Sequence, residues 1–194
     1  MFHHRTFLVK ERVGFFKLAD TFDIYDPASG MQIGIANERI SPLLKIARLV
    51  INKRLLPTLV EIRERTDGPV VLSLRRGSAL LHANVTVRDA AGGELGRFKS
   101  KLFSLGGGFD VFDAQQRPVA EIKGDWKGWN FRFLTSDGSE LGKVTKKWGG
   151  LGKELLTSAD NYIISLTDHA RLTQESVMLL LAAGLAIDVV YKEK

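Results

Sequence analysis

The residue types best suited to chemistry here are lysines interleaved with tryptophans. Lys123-Gly-Asp-Trp126-Lys127-Gly-Trp129 is followed by Lys143, Lys146, Lys147 and Trp148. Tryptophan suits a membrane–water boundary, where the ring is apolar and the N–H stays wet. Each lysine held near an anionic leaflet contributes about 1 kcal/mol. These eight residues are therefore candidate contacts for anionic lipid. The same pattern also fits tryptophans that plug the end of a barrel and lysines that shield strand edges from aggregation. A second basic stretch carries Lys45, Arg48, Lys53 and Arg54. It begins with Ser41, a good N-cap, and Pro42, tolerated in a first helical turn, and it stops at Pro57. The spacing predicts an amphipathic helix over about residues 42–55. Such a helix belongs on a membrane surface, or it caps one end of a barrel with its charges in water.

Other constellations are weaker. Gly106-Gly107-Gly108 has no following Lys-Ser or Lys-Thr, so a tight approach to the Phe109 strand is expected rather than a phosphate cradle. Gly149-Gly-Leu-Gly-Lys153 departs from a P-loop, because Glu154 stands where Ser or Thr would reach magnesium and Lys147 stands where a glycine is required. His3, His4, His82 and His169 are scattered without acids at ligand spacing, so no metal site is expected. There is no Gly-x-Ser-x-Gly elbow for a nucleophilic serine. No catalytic residues and no cofactor are predicted, and the expectation is a protein that is not an enzyme.

The elements that would position the lysines are strands. Phe22 to Asp26 and Met31 to Ile35 flank a four-residue loop and read as a hairpin. The plan recurs at 85–98, 109–122 and 131–143, with starts 22–24 residues apart. Hairpin units repeated at that interval are too small to bury their faces alone. Thr6 to Lys10, Thr58 to Arg63, Val70 to Leu74, Ala79 to His82 and Asn161 to Leu166 bring the expected total to eleven or twelve strands. Period-two alternation gives each an inner and a wet face.

Glu175 to Tyr191 is different: the eleven residues Val177 to Ile187 include no polar side chain. A helix apolar on every face has to be enclosed on every side. A bilayer span takes about 20 apolar residues, whereas a run of about 10–14 is more often a core helix. A barrel of eleven or twelve strands is wider than its own side chains can fill. The helix is therefore predicted to plug the barrel, with Asp188 bonding barrel backbone or meeting an arginine at the helix exit.

The 194 residues, 44% apolar and 26% charged, suit a globular chain read as one domain over 1–194. The absence of cysteine excludes disulfides and thiolate sites, and it is compatible with a reducing cytoplasm. The first residues lack an apolar core and a cleavage motif, so no secretory signal is expected. The net charge of +6 is uneven: residues 39–65 and 97–153 each carry +5, and residues 155–194 carry −2. Such an excess favours phosphate-bearing partners, although it also fits a lysine-biased soluble surface. No recognition-helix or RNP-type motif is present, so nucleic acid is not the expected partner.

The repeated hairpins, Phe98-Lys-Ser-Lys-Leu-Phe103, Gly124-Asp-Trp126 and the terminal Leu-Ala-Ile-Asp188 carry a resemblance over nearly the whole chain. The chain resembles the LURP-one-related and phospholipid-scramblase-like group of the Tubby C-terminal-like superfamily. The resemblance implies a closed barrel of about twelve strands around a hydrophobic C-terminal helix. It also implies phosphoinositide or phospholipid association. The chain lacks the proline-rich N-terminal region and palmitoylated cysteine cluster of scramblases, and no acidic calcium loop is present. A helix enclosed in a barrel cannot also span a bilayer, so scrambling by this chain alone is not expected. Two readings stay open: a cytoplasmic module peripheral to an anionic membrane surface or phosphoinositide, and a protein-interaction module with no lipid ligand.

Overall fold

In the computed structural model the described residues are 1–12, 19–52, 55–78, 83–101, 107–125, 127, 129–146, 161–167 and 172–191. The elements are β1 (Thr6–Glu11), β2 (Thr21–Tyr25), β3 (Gln32–Arg39), α1 (Pro42–Ala47), β4 (Thr58–Arg63), β5 (Val70–Arg76) and β6 (Asn84–Asp89). They continue with β7 (Glu94–Ser100), β8 (Gly108–Asp113), β9 (Pro118–Asp125), β10 (Asn130–Leu134), β11 (Glu140–Thr145), β12 (Asn161–Leu166) and α2 (Gln174–Tyr191). The expected segment Ala79 to His82 lies outside the described residues.

The twelve strands form a closed barrel in which every strand pairs antiparallel with its sequence neighbours. β1 closes the ring on β12, with Thr6 opposite Ser165 and Lys10 opposite Asn161. Alternation sorts the side chains: along β4, Thr58, Val60 and Ile62 are buried while Leu59, Glu61 and Arg63 are less so. The five hairpins β2–β3, β4–β5, β6–β7, β8–β9 and β10–β11 each carry a register shift beside their turn. A bulge there bends and twists both strands, which helps an even meander curl into a ring.

α2 fills the lumen. From Val177 to Asp188 only Leu179 is not fully buried. Its surroundings are aromatic: Phe7, Phe22, Phe98, Phe109, Phe131, Phe133 and Tyr162 are all under 2% exposed. Small residues let the wall approach the helix. A Cβ placed on Gly184 would sit 2.3 Å from Ile164 Cδ1. By length and composition α2 is the one described helix that could cross a membrane, but 78% of it is buried within the barrel. Enclosure by protein, rather than lipid, is how its apolar faces are satisfied.

The helix enters from the end where β12 finishes and leaves at the end where β8 begins. At that exit end, Arg76 donates to the Val189 carbonyl at 2.8 Å, and also to Thr58 Oγ1 and the Leu56 carbonyl. An arginine therefore stands at the helix exit one residue beyond Asp188, which is itself 4% exposed. α1, the last residues of β9 and β11 and the first residues of β10 and β12 lie at this same end.

α1 is shorter than the sequence suggests. Ser41 caps it, accepting from Leu44 N–H at 3.3 Å with Pro42 in the first turn, but the α-helix stops at Ala47. Leu49 and Val50 then bond three residues back, to Ile46 and Ala47, and the chain leaves helical geometry. None of the helix's residues is buried. Without a packed face a short helix is marginal, and Val50, Ile51 and Asn52 are poor helix formers.

Candidate functional site

The hairpin register gathers the cations. Arg132 on β10 lies directly opposite Lys123 on β9 and opposite Lys143 on β11, with all three side chains exposed. Directly opposed residues have Cβ atoms about 5 Å apart, and like charges so placed are destabilising. Three cations in one row are thus a feature the fold alone would disfavour. Lys123 is tempered by Glu121, 2.7 Å from its ammonium. Glu121 also bonds Lys101, which reaches Asp110 at 2.9 Å. Burial raises the Glu121 carboxyl, yet the bonds from Lys101 and Lys123 outweigh it and hold the group below its ordinary value. Arg132 and Lys143 have no acidic partner among the described residues.

The row sits two residues from the exit end on each strand, next to the Lys–Trp run. Lys127 is exposed there, its N–H bonded to Asp125 at 2.9 Å. Trp129 is enclosed rather than exposed. It is 6% exposed, stands edge-on to Phe131 with centroids 6.4 Å apart, and packs 6.1 Å from Tyr162. Its φ of 49° is unusual for a bulky side chain, and it turns the ring into the barrel end. Lys146 lies with its ammonium 4.6 Å from the Trp129 centroid, a cation–π contact that fixes a positive charge over the plug. Trp126, Lys147 and Trp148 lie outside the described residues.

In the second basic stretch, Lys45 is exposed, whereas Arg48 folds back onto Glu38 at the end of β3. Both side chains are almost wholly enclosed, 4% and 1% exposed, and Arg48 Nη1 donates to Glu38 Oε2 at 3.1 Å. Arg48 thus holds α1 in place and does not offer its charge to solvent. Lys53 and Arg54 lie outside the described residues.

Sequence reasoning missed Arg132 as a site residue. Its outward position follows from alternation, but its place between two lysines depends on a register set by the bulge at Phe133/Leu134. Among the described residues no group of three or more His, Asp or Glu side chains could hold a metal ion. The site offers fixed positive charge, which can bind anions.

A closed antiparallel meander threaded by its own apolar helix, with cations ranked at the helix-exit end, defines a plugged-barrel class of protein. The protein-family model described as Scramblase matches residues 19–194, and the chain belongs to that family. No solved structure matches the chain significantly.

Proposed function

We propose that the protein is a non-enzymatic module that docks on the anionic phospholipid or phosphoinositide headgroups of a membrane surface, peripherally and from the cytoplasmic side. The observation that carries this reading is the Lys123–Arg132–Lys143 row, an arrangement that disfavours folding and suits phosphate. Lys127 and Lys146 extend it toward the exit end, and Lys147 continues the run in sequence. Membership of the Scramblase family supports a lipid-related role. The enclosure of α2 makes docking, not insertion of that helix, the consistent mode.

Flotation with neutral and anionic vesicles at low and high salt tests the reading. Binding is expected to anionic vesicles alone and to weaken as salt screens the charges. Replacing both Arg132 and Lys143 removes about 2 kcal/mol, roughly thirtyfold in affinity. Equal binding to both vesicle types would overturn the electrostatic mechanism. Absence of binding to either would overturn the lipid reading and leave a protein-interaction module.

A further inference from the structure

Eight large apolar side chains are exposed among the described residues, and six of them fall between Leu43 and Leu55. Leu43 is 80% exposed, Ile46 65%, Leu49 72% and Val50 84%, with Ile51 and Leu55 beside them. Scattered exposed leucines need no explanation, but a contiguous group of this kind marks an interaction surface. The segment is not a loose loop. The Ser41 cap and the enclosed Arg48–Glu38 pair hold it on the barrel, so its aliphatic side chains are presented outward by design of the contacts beneath them.

Charge around this patch selects its occupant. Lys45 is exposed on α1 itself, and a groove of about 400 Å³ beside the helix is lined by Leu44 and Leu59 with Arg39 and Arg75. Arg39, Leu59 and Arg75 are cross-strand neighbours on β3, β4 and β5. Arg39 is paired with Glu61 at 2.7 Å, whereas Arg75 is exposed with no acidic partner among the described residues. Greasy side chains projecting above a basic collar are the chemistry of an interfacial anchor, which sits about 5–10 Å into the headgroup and acyl boundary. The position agrees. α1 follows β3, and the Lys123–Arg132–Lys143 row lies on β9 to β11, across the barrel but at the same end. The apolar group on α1 and the cationic row thus share one end of the barrel. The opposite end shows short turns of small residues such as Pro27-Ala-Ser-Gly30, Ala90-Ala-Gly-Gly93 and Ser136-Asp-Gly138.

We propose that the barrel docks end-on against an anionic bilayer, with Leu43, Ile46, Leu49 and Val50 inserted at the acyl boundary and with Lys45 and Arg75 on headgroup phosphates. The proposal rests on the phospholipid-docking reading and adds to it the inserted element and the orientation. α1, not the buried α2, is then the part of the chain that enters lipid.

The chain has no cysteine, so single labelling sites are clean. Ile46→Cys and Leu49→Cys, with Ala91→Cys at the opposite end as control, would carry an environment-sensitive nitrobenzoxadiazole label. The vesicles would be phosphatidylcholine alone or phosphatidylcholine with phosphatidylserine. Emission from 46 and 49 should shift to the blue and brighten with anionic vesicles, while 91 stays unchanged. The unlabelled Leu43→Gln/Ile46→Gln/Leu49→Gln/Val50→Gln variant should keep its thermal midpoint and lose about tenfold or more in vesicle affinity. If the protein floats with anionic vesicles but the labels at 46 and 49 do not respond, insertion of α1 is overturned and headgroup docking survives. If the labels shift with protein concentration and no vesicles, a second copy covers the face and the proposal is overturned. If nothing floats, both readings fall together.

Discussion

The Tyr191 hydroxyl accepts a hydrogen bond from the Gly108 N–H at 2.7 Å and donates one to the Gly108 carbonyl at 2.8 Å. One side chain at the end of α2 thereby closes both backbone groups at the start of β8. The ring itself packs edge-on to Phe109 and stacked with Phe131, with centroids 5.3 and 5.9 Å away. Gly107 takes a left-handed φ of 84° just before this contact, where an added Cβ would lie 3.0 Å from the Tyr191 ring. The plug is thus latched to the wall at its exit.

Tyr191→Phe keeps the ring and removes the latch. The Gly108 carbonyl retains the Lys101 N–H at 3.0 Å, but its own N–H is left buried and unpaired. The expected cost is about 1–3 kcal/mol, or about 2–4 °C in thermal midpoint per kcal/mol for a chain of this size. Thermal unfolding by circular dichroism reads it. An unchanged midpoint would mean that the two bonds contribute no net stability.

Alkaline pH should act through two tyrosines. Burial pushes the Tyr162 hydroxyl well above its ordinary value of 10.0, and the nearby Asp188 charge adds to this. Burial likewise raises Tyr191, opposed by its Gly108 bond. The folded state therefore holds these protons more tightly than the unfolded state. The stability they contribute is intact below about pH 10 and is lost as pH rises above that value toward the folded-state pKa. Tyr162 has no hydrogen-bond partner among the described residues, so Tyr162→Phe should fold normally and lose stability less steeply in alkali. An identical slope in the variant would refute the assignment.

Glu38→Gln should loosen the seat of α1. It leaves the Arg48 guanidinium enclosed beside a neutral amide, and breaking a buried pair from one side costs about 3–5 kcal/mol. Urea unfolding measures the loss. Joint replacement by Glu38→Leu and Arg48→Met should recover most of it, and failure to do so would point to a role for the charges beyond mutual compensation.

Arg132→Thr separates function from folding. Removing the middle cation relieves two opposed like-charge pairs, so the variant should be more stable by a few tenths of a kcal/mol up to about 1 kcal/mol. It should also bind anionic vesicles more weakly. A purely structural role for Arg132 predicts the reverse for stability and no change in binding.

Much of the fold is written in local patterns. The four hairpins read from alternation are β2–β3, β6–β7, β8–β9 and β10–β11, with β3 and β9 running four and three residues past the expected Ile35 and Ile122 and the other ends within two residues. The enclosed helix could be read because Val177 to Ile187 offers no wet face, and only a lumen or a bilayer resolves that. The site was less legible. Lys123 and Lys143 stand out as charges, but their convergence on Arg132 requires a register that a single bulge can shift. Trp129 carries the composition of an interfacial residue, and its burial depends on one positive φ at the turn. The Arg48–Glu38 pair joins residues ten apart across a helix cap, which no periodicity announces. The same pair decides that α1 presents leucines outward.

The closed ring also has a consequence for synthesis. Thr6 finds its partner in Ser165, and the lumen they enclose is empty until residues 174–191 arrive. A ribosome can release the hairpins one by one, but none of them can bury its inner face until nearly the whole chain has emerged. Contacts this distant in sequence form slowly. The nascent meander therefore waits, with its apolar face open, for residues 174–191, and in that interval it is exposed to aggregation.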